Sequence, residues 1–154
     1  MTTFDPATWS AKVRGDDCAL CTGLRTDDAG RIVAELASGR VLLQDDADFR
    51  GYCILVFRRH ACELFELSYA ERSALIEDVN RVAQAVQRVV QPAKLNYAML
   101  GNMAPHLHVH VIPRFPGDGW WGQSIWARPD AARRTLPTEE LAALGAALRA
   151  TLAG

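Results

Sequence analysis

The sequence has no excess of either charge: 17 basic residues stand against 18 acidic ones, a formal net charge of −1 over 154 residues. A basic face of the kind that grips nucleic acid or an anionic membrane is therefore not expected, and a polyanionic ligand would have to be held by local groups. No apolar run approaches the roughly 18 residues of a membrane span. The opening MTTFDPATWSAKVRGDD has neither the basic-then-apolar pattern of a secretory leader nor an Arg-rich amphipathic one, so a cytoplasmic address is expected. Internal repeats, low-complexity tracts and linkers are missing too, and the length suits one domain over residues 1–154. Cysteine is scarce, at four residues (Cys18, Cys21, Cys53 and Cys62). In an unsecreted chain with a full core, these read as reduced thiols available to metal rather than as disulfides.

What is present reads as an ordinary globular protein, 49% hydrophobic and 23% charged. Residues 31–44 (RIVAELASGRVLLQ) suggest two strands about Ser38-Gly39. GYCILVF (51–57) is apolar on both faces and belongs in mid-sheet under a helix. From Ser68 to Val90 the period changes: Leu75, Val79, Val82, Val86 and Val89 form one face, with Glu71, Glu77, Asp78, Arg81, Gln84 and Arg88 on the other. Ser68 and Glu71 make a capping box, and Pro92 ends this main helix. Two strands follow, KLNYAML and HLHVHVIPR, joined by a short Gly101-Asn102 turn. Residues 116–130 read as a Gly- and Trp-rich loop, and 138–152 as a terminal helix. Strands in one run, with helices between and after, predict an α+β domain with an antiparallel sheet of about five strands.

Three of the four histidines lie in the run APHLHVHVIPRF (104–115). On a strand, His106, His108 and His110 would share one face, about 7 Å apart, with Leu107, Val109 and Val111 on the other. Three readings are open from the residues alone: a solvent-facing strand that happens to carry histidines, a metal held by the whole trio, or nucleophilic and acid–base chemistry at phosphorus.

The order His106-Leu107-His108-Val109-His110-Val111-Ile112 resembles the histidine triad motif, in which three histidines alternate with apolar residues. LNYAMLGNMAPHLHVHVIPRF and GYCILVFRRHACELFELS resemble the bacterial branch of histidine triad hydrolases, over about residues 18–126. The resemblance implies a histidine triad fold, often paired through its sheet into a homodimer. It also implies hydrolysis of a nucleotide phosphoanhydride or phosphoramidate, such as a diadenosine polyphosphate or an adenylylated amine. Related nucleotidyl transferases, phosphorylases and low-turnover nucleotide-binding regulators carry the same residues. By the same resemblance His108 is the nucleophile, forming a nucleotidyl-histidine. His110 then contacts the phosphate or the bridging atom, and Asn96 and Asn102 assist in binding. Gln44 or Asp45 meets the ribose hydroxyls. Met103 stands where the family often has a serine that protonates the leaving group.

Cys18 and Cys21 form a C-x-x-C pair without the βαβ setting of a redox motif. In related bacterial proteins such a pair, a histidine at the place of His60 and the first triad histidine hold zinc. A closed, structural Cys18–Cys21–His60–His106 zinc site is therefore implied, and no organic cofactor is expected. Cys53 and Cys62 read as packing residues. Arg58 and Arg59 read as solvated, Arg114 is open, and Trp120, Trp121 and Trp126 suit a base or a dimer contact, with Trp126 a candidate to reach a partner's site.

Overall fold

The computed structural model describes residues 4–16, 18–22 and 31–154. Five strands form one antiparallel sheet: β1 (Ile32–Glu35), β2 (Gly39–Leu43), β3 (Cys53–Phe57), β4 (Lys94–Ala98) and β5 (His108–Arg114), in the order β1-β2-β3-β5-β4. The strand that is apolar on both faces, β3, is the central one. Gly39 is required where β2 meets it: a Cβ there would lie 1.9 Å from the Val56 carbonyl oxygen. Three α-helices among the described residues complete the fold: α1 (Pro6–Arg14), α2 (Tyr69–Val90) and α3 (Thr138–Ala153). No helix among the described residues is long and apolar enough to cross a membrane.

Helices α2 and α3 cover one face of the sheet. There Val109 and Val111 of β5 join Val41, Leu55, Leu75, Val82, Val86, Leu144 and Leu148 in the main core. Ser68 starts α2 with both halves of the capping box, as its sequence predicts, and Pro92 follows the last turn. Asp78 is a correction. It is 2% exposed and not on the solvent side, because its carboxylate accepts from both the backbone N–H and the hydroxyl of Ser38, each at 2.7 Å. At steps of three and four it shares a face with Leu75 and Val82, and the β1–β2 turn supplies its donors.

The other face carries the even-numbered residues of β5. Phe49, Tyr52, Ile112 and Ile125 make a second, smaller core there. It is roofed by the segment 115–128, which contains a short 3₁₀ turn at Ile125–Ala127. Two buried ion-pair groups pin this roof. Arg114 grips Asp118 and also donates to the carbonyls of Trp120 and Gln123. Arg128 pairs with Asp46 and Asp48, while stacked 4.9 Å over the Phe49 ring.

Several boundaries differ from the sequence reading. Helix α1 was not anticipated, although Asp5 caps it, Pro6 opens it and Gly15 closes it in the left-handed region. Strand β4 stops at Ala98 and not at Leu100. The link to β5 is no tight Gly-Asn turn but runs from residue 99 to 107, because β5 begins at His108.

Candidate active site and metal centre

The three histidines divide between two environments. His106 precedes β5 and is 2% exposed. Its Nε2–H donates to the Phe57 carbonyl at 2.7 Å, which leaves Nδ1 as a lone pair facing Cys18 Sγ at 3.4 Å and Cys21 Sγ at 3.3 Å. His60 is built alike: Nε2–H donates to the Val13 carbonyl at 2.8 Å, and Nδ1 faces Cys21 Sγ at 3.3 Å. Backbone oxygens only accept, so the tautomer of each ring is fixed. The four ligand atoms of Cys18, Cys21, His60 and His106 all lie within 4.8 Å of one another. Burial first, and the adjoining Cys18 second, push the Cys21 thiol up to about 11. A cation beside the Cys21 sulfur would oppose that push and favour the thiolate. Two sulfurs and two imidazole nitrogens, each ring anchored through its second nitrogen to a carbonyl, fit a tetrahedral zinc ion. Helix α1 braces this corner: Val13 supplies an anchoring carbonyl, and a Cβ on Gly15 would stand 3.1 Å from the His60 ring.

His108 and His110 lie on the opposite side of the sheet from the helices. They pair across β3 with Val56 and Ile54, and His110 pairs with Ala98 of β4. Nδ1–H of half-buried His108 donates to the His106 carbonyl at 2.6 Å, so its Nε2 carries the lone pair. The His110 ring stands edge-on to it, with centroids 4.8 Å apart. Nδ1 of His110 is 2.6 Å from the Tyr52 hydroxyl, and Trp126 of the same chain stands edge-on to the ring at 5.2 Å. Burial first, then the charge of His108, push His110 down to about 4, so it is neutral at ordinary pH.

The shared strand face expected for the trio is thus corrected: His106 lies ahead of β5 and turns to the cysteines, as the implied metal site requires, while the other two rings stay together. The flanking candidates also separate. Gln44 lines a hollow of about 300 Å³ with Tyr52, Trp126, Asp46 and Arg133. Asp45 beside it is committed to Arg31 at 3.0 Å and to Arg133. Asn96 lines a cleft of about 440 Å³ with Lys94, Trp121 and Gln123, and its Oδ1 accepts from Arg114. Asn102 is exposed, bordering a hollow shared with Trp9 and Lys12 of α1.

A model of the HIT domain matches residues 25–117. The chain belongs to the histidine triad (HIT) family. Over 74 residues it is 31% identical to the AP-4-A phosphorylase of Mycobacterium tuberculosis, a match covering 44% of this chain and 38% of that protein. Over 73 residues it is 29% identical to the asymmetrical bis(5'-nucleosyl)-tetraphosphatase of Schizosaccharomyces pombe, covering 44% and 40%. The chain spans about two-fifths of the length of these curated relatives. Among solved structures, a histidine triad protein from Bradyrhizobium japonicum matches with a TM-score of 0.74 and 29% identity, over 84% of this chain and 97% of that one.

The remaining sequence candidates of this HIT chain fall into place. Arg58 donates to the Leu36 and Ala37 carbonyls, and Arg59 pairs with Glu71, holding that carboxyl down to about 2. Both are structural. Arg114, left open by the sequence, is 4% exposed and clamps the roof. For its partner Asp118, burial alone would raise the carboxyl; the bonds from Arg114 and from the Trp120 and Phe115 amides outweigh it and hold it low. Cys53 is fully buried core, as expected. Cys62 lies beside the metal corner, its thiol donating to the Pro105 carbonyl at 2.9 Å. Tyr52 and the Arg128 cluster escaped notice because their partners are 58 and about 80 residues away.

Proposed function

We propose that this HIT protein hydrolyses a nucleotide phosphoanhydride or phosphoramidate at the α-phosphorus, through a nucleotidyl intermediate on His108. One observation carries the reading: the His106 carbonyl accepts from Nδ1–H of His108 and leaves Nε2 as an oriented lone pair. Nε2 attacks phosphorus, the N–P bond forms, and the bond to the leaving group breaks with its electron pair on the departing atom. Water then attacks the same phosphorus and frees the histidine. Splitting the displacement in two lets a preorganised imidazole replace water as the first nucleophile. The hollow beside Tyr52 and Trp126 suits the nucleoside, with Gln44 at its wall for the ribose. Asn96, opposite Ile112 in the sheet register, and Asn102 complete the proposed set of binding residues.

Cys18, Cys21, His60 and His106 would hold zinc, closed to substrate and structural, tying α1 and the N-terminal segment to the start of β5. A homodimer built through the β4 edge fits the exposure of Tyr97, Met99 and Leu100 there. Resemblance to AP-4-A phosphorylase favours one second reading, in which phosphate and not water accepts the nucleotide. Intact-mass spectrometry of rapidly quenched reactions with a panel of adenine and guanine nucleotides tests both. A nucleotidyl adduct lost in His108→Gly supports the mechanism, and phosphate-dependent release of nucleoside diphosphate would select the phosphorylase. Turnover in wild type with no such adduct, or turnover surviving in His108→Gly, would overturn it.

A further inference from the structure

Each histidine of the motif has one ring nitrogen committed to a protein partner, and the partners differ in kind. For His106 and His108 the partner is a backbone carbonyl, which only accepts, so the contacting nitrogen carries the proton. For His110 the partner is the Tyr52 hydroxyl, which donates as well as accepts. The 2.6 Å separation lies in the O–H donor range and below that of most N–H···O bonds. An imidazole nitrogen is a far better acceptor than a phenol oxygen, so the bond runs from Tyr52 to His110. The phenol cannot swing away. Tyr52 is 8% exposed, its ring packs with Phe49, Ile112 and Ile125, and its own N–H and C=O are tied to the Phe49 carbonyl and the Gln44 amide. Trp126 closes His110 from another side.

We propose that Tyr52 is a positioning residue: its hydroxyl donates to Nδ1 of His110 and so fixes the Nε2–H of that ring as a donor to an oxygen of the phosphorus that His108 attacks. Adjacent rings 4.8 Å apart are then set in opposite tautomers, one presenting a bare nitrogen to phosphorus and the other an N–H to the charge that develops on oxygen. His110 keeps its proton throughout and acts as a neutral hydrogen-bond donor. This assigns the third histidine a role in a chain whose Met103 offers no hydroxyl. The role at phosphorus rests on the hydrolase reading above; the tautomer does not.

The test uses Tyr52→Phe, which retains the buried ring and the backbone bonds. Nitrogen-15 NMR of labelled imidazoles should find His110 in wild type as the Nε2–H tautomer, shifting to a mixture in Tyr52→Phe. With diadenosine tetraphosphate as substrate, kcat should fall about tenfold with KM changed by less than about twofold, the pattern of a bond made in the transition state. In a His110→Ala background the same substitution should cost nothing further, because its effect passes through that ring. An Nδ1–H tautomer in wild type, an unchanged kcat, or an equal loss in the His110→Ala background would overturn the proposal. The NMR measurement needs no substrate, so a tautomer result stands even where the nucleotidyl mechanism fails.

Discussion

His106 and His108 are two residues apart, in one motif, and the fold uses them for opposite ends. The first is sealed among two sulfurs and a second imidazole; the second stands on the open face beside His110. What separates them is which ring nitrogen carries the N–H that a carbonyl accepts. The Phe57 carbonyl accepts from Nε2–H of His106, turning Nδ1 to the cysteines, while the His106 carbonyl accepts from Nδ1–H of His108, freeing Nε2. A histidine's chemistry is thus written less by its place in a pattern than by which nitrogen a neighbouring acceptor claims.

That contrast can be broken most sharply at His108. His108→Ala should lower turnover by about 10⁴-fold, the scale of losing a nucleophile, with metal content and Tm near wild type. A variant that also sheds metal would show that the two environments are one. The reverse pattern is expected for Cys18→Ser: elemental analysis should fall from about one zinc per chain, and Tm should drop by roughly 10 °C or more, since structural zinc contributes directly to folding. A metal-free wild type of full stability would sink the centre.

A smaller effect separates His110 from an ordinary exposed histidine. Its folded value is about 4 against 6.5 in the unfolded chain, so below pH 6.5 the unfolded state binds more protons. Stability contributed by the neutral ring is present above pH 6.5 and is lost as pH falls toward about 4, up to roughly 3 kcal/mol. Denaturant unfolding at pH 7 and 4.5 should show a steeper acid loss in wild type than in His110→Asn; equal slopes would mean the ring is solvated. Least of all should change in Arg58→Ala and Arg59→Ala, whose guanidiniums serve carbonyls and Glu71: activity within about twofold of wild type.

Local signals made much of this legible from the chain. The both-sides-apolar β3, the capping box at Ser68, and the in-phase histidines each lie within a few residues, where period and spacing act. The Cys18–Cys21 pair with His60 came from family resemblance, and the geometry brings those atoms together with His106. Contacts that close over long distances left no periodic trace: Tyr52 with His110 and Arg128 with Asp46. Asp78 was misplaced because a charged side chain at a core step reads as polar until its donors on another element are known. Helix α1 was missed although Asp5, Pro6 and Gly15 mark its ends, because its nine residues bury none of their own side chains and lack an apolar stripe.

The peptide unit after His106 ties the two environments in series. Its side chain faces the sulfurs while its oxygen arms the neighbouring ring, so the backbone at this point cannot be retuned for one purpose alone. Anyone reshaping this protein should randomise residues 106 to 108 as a single block, because a change that loosens the anchor will also disturb the orientation of the His108 ring.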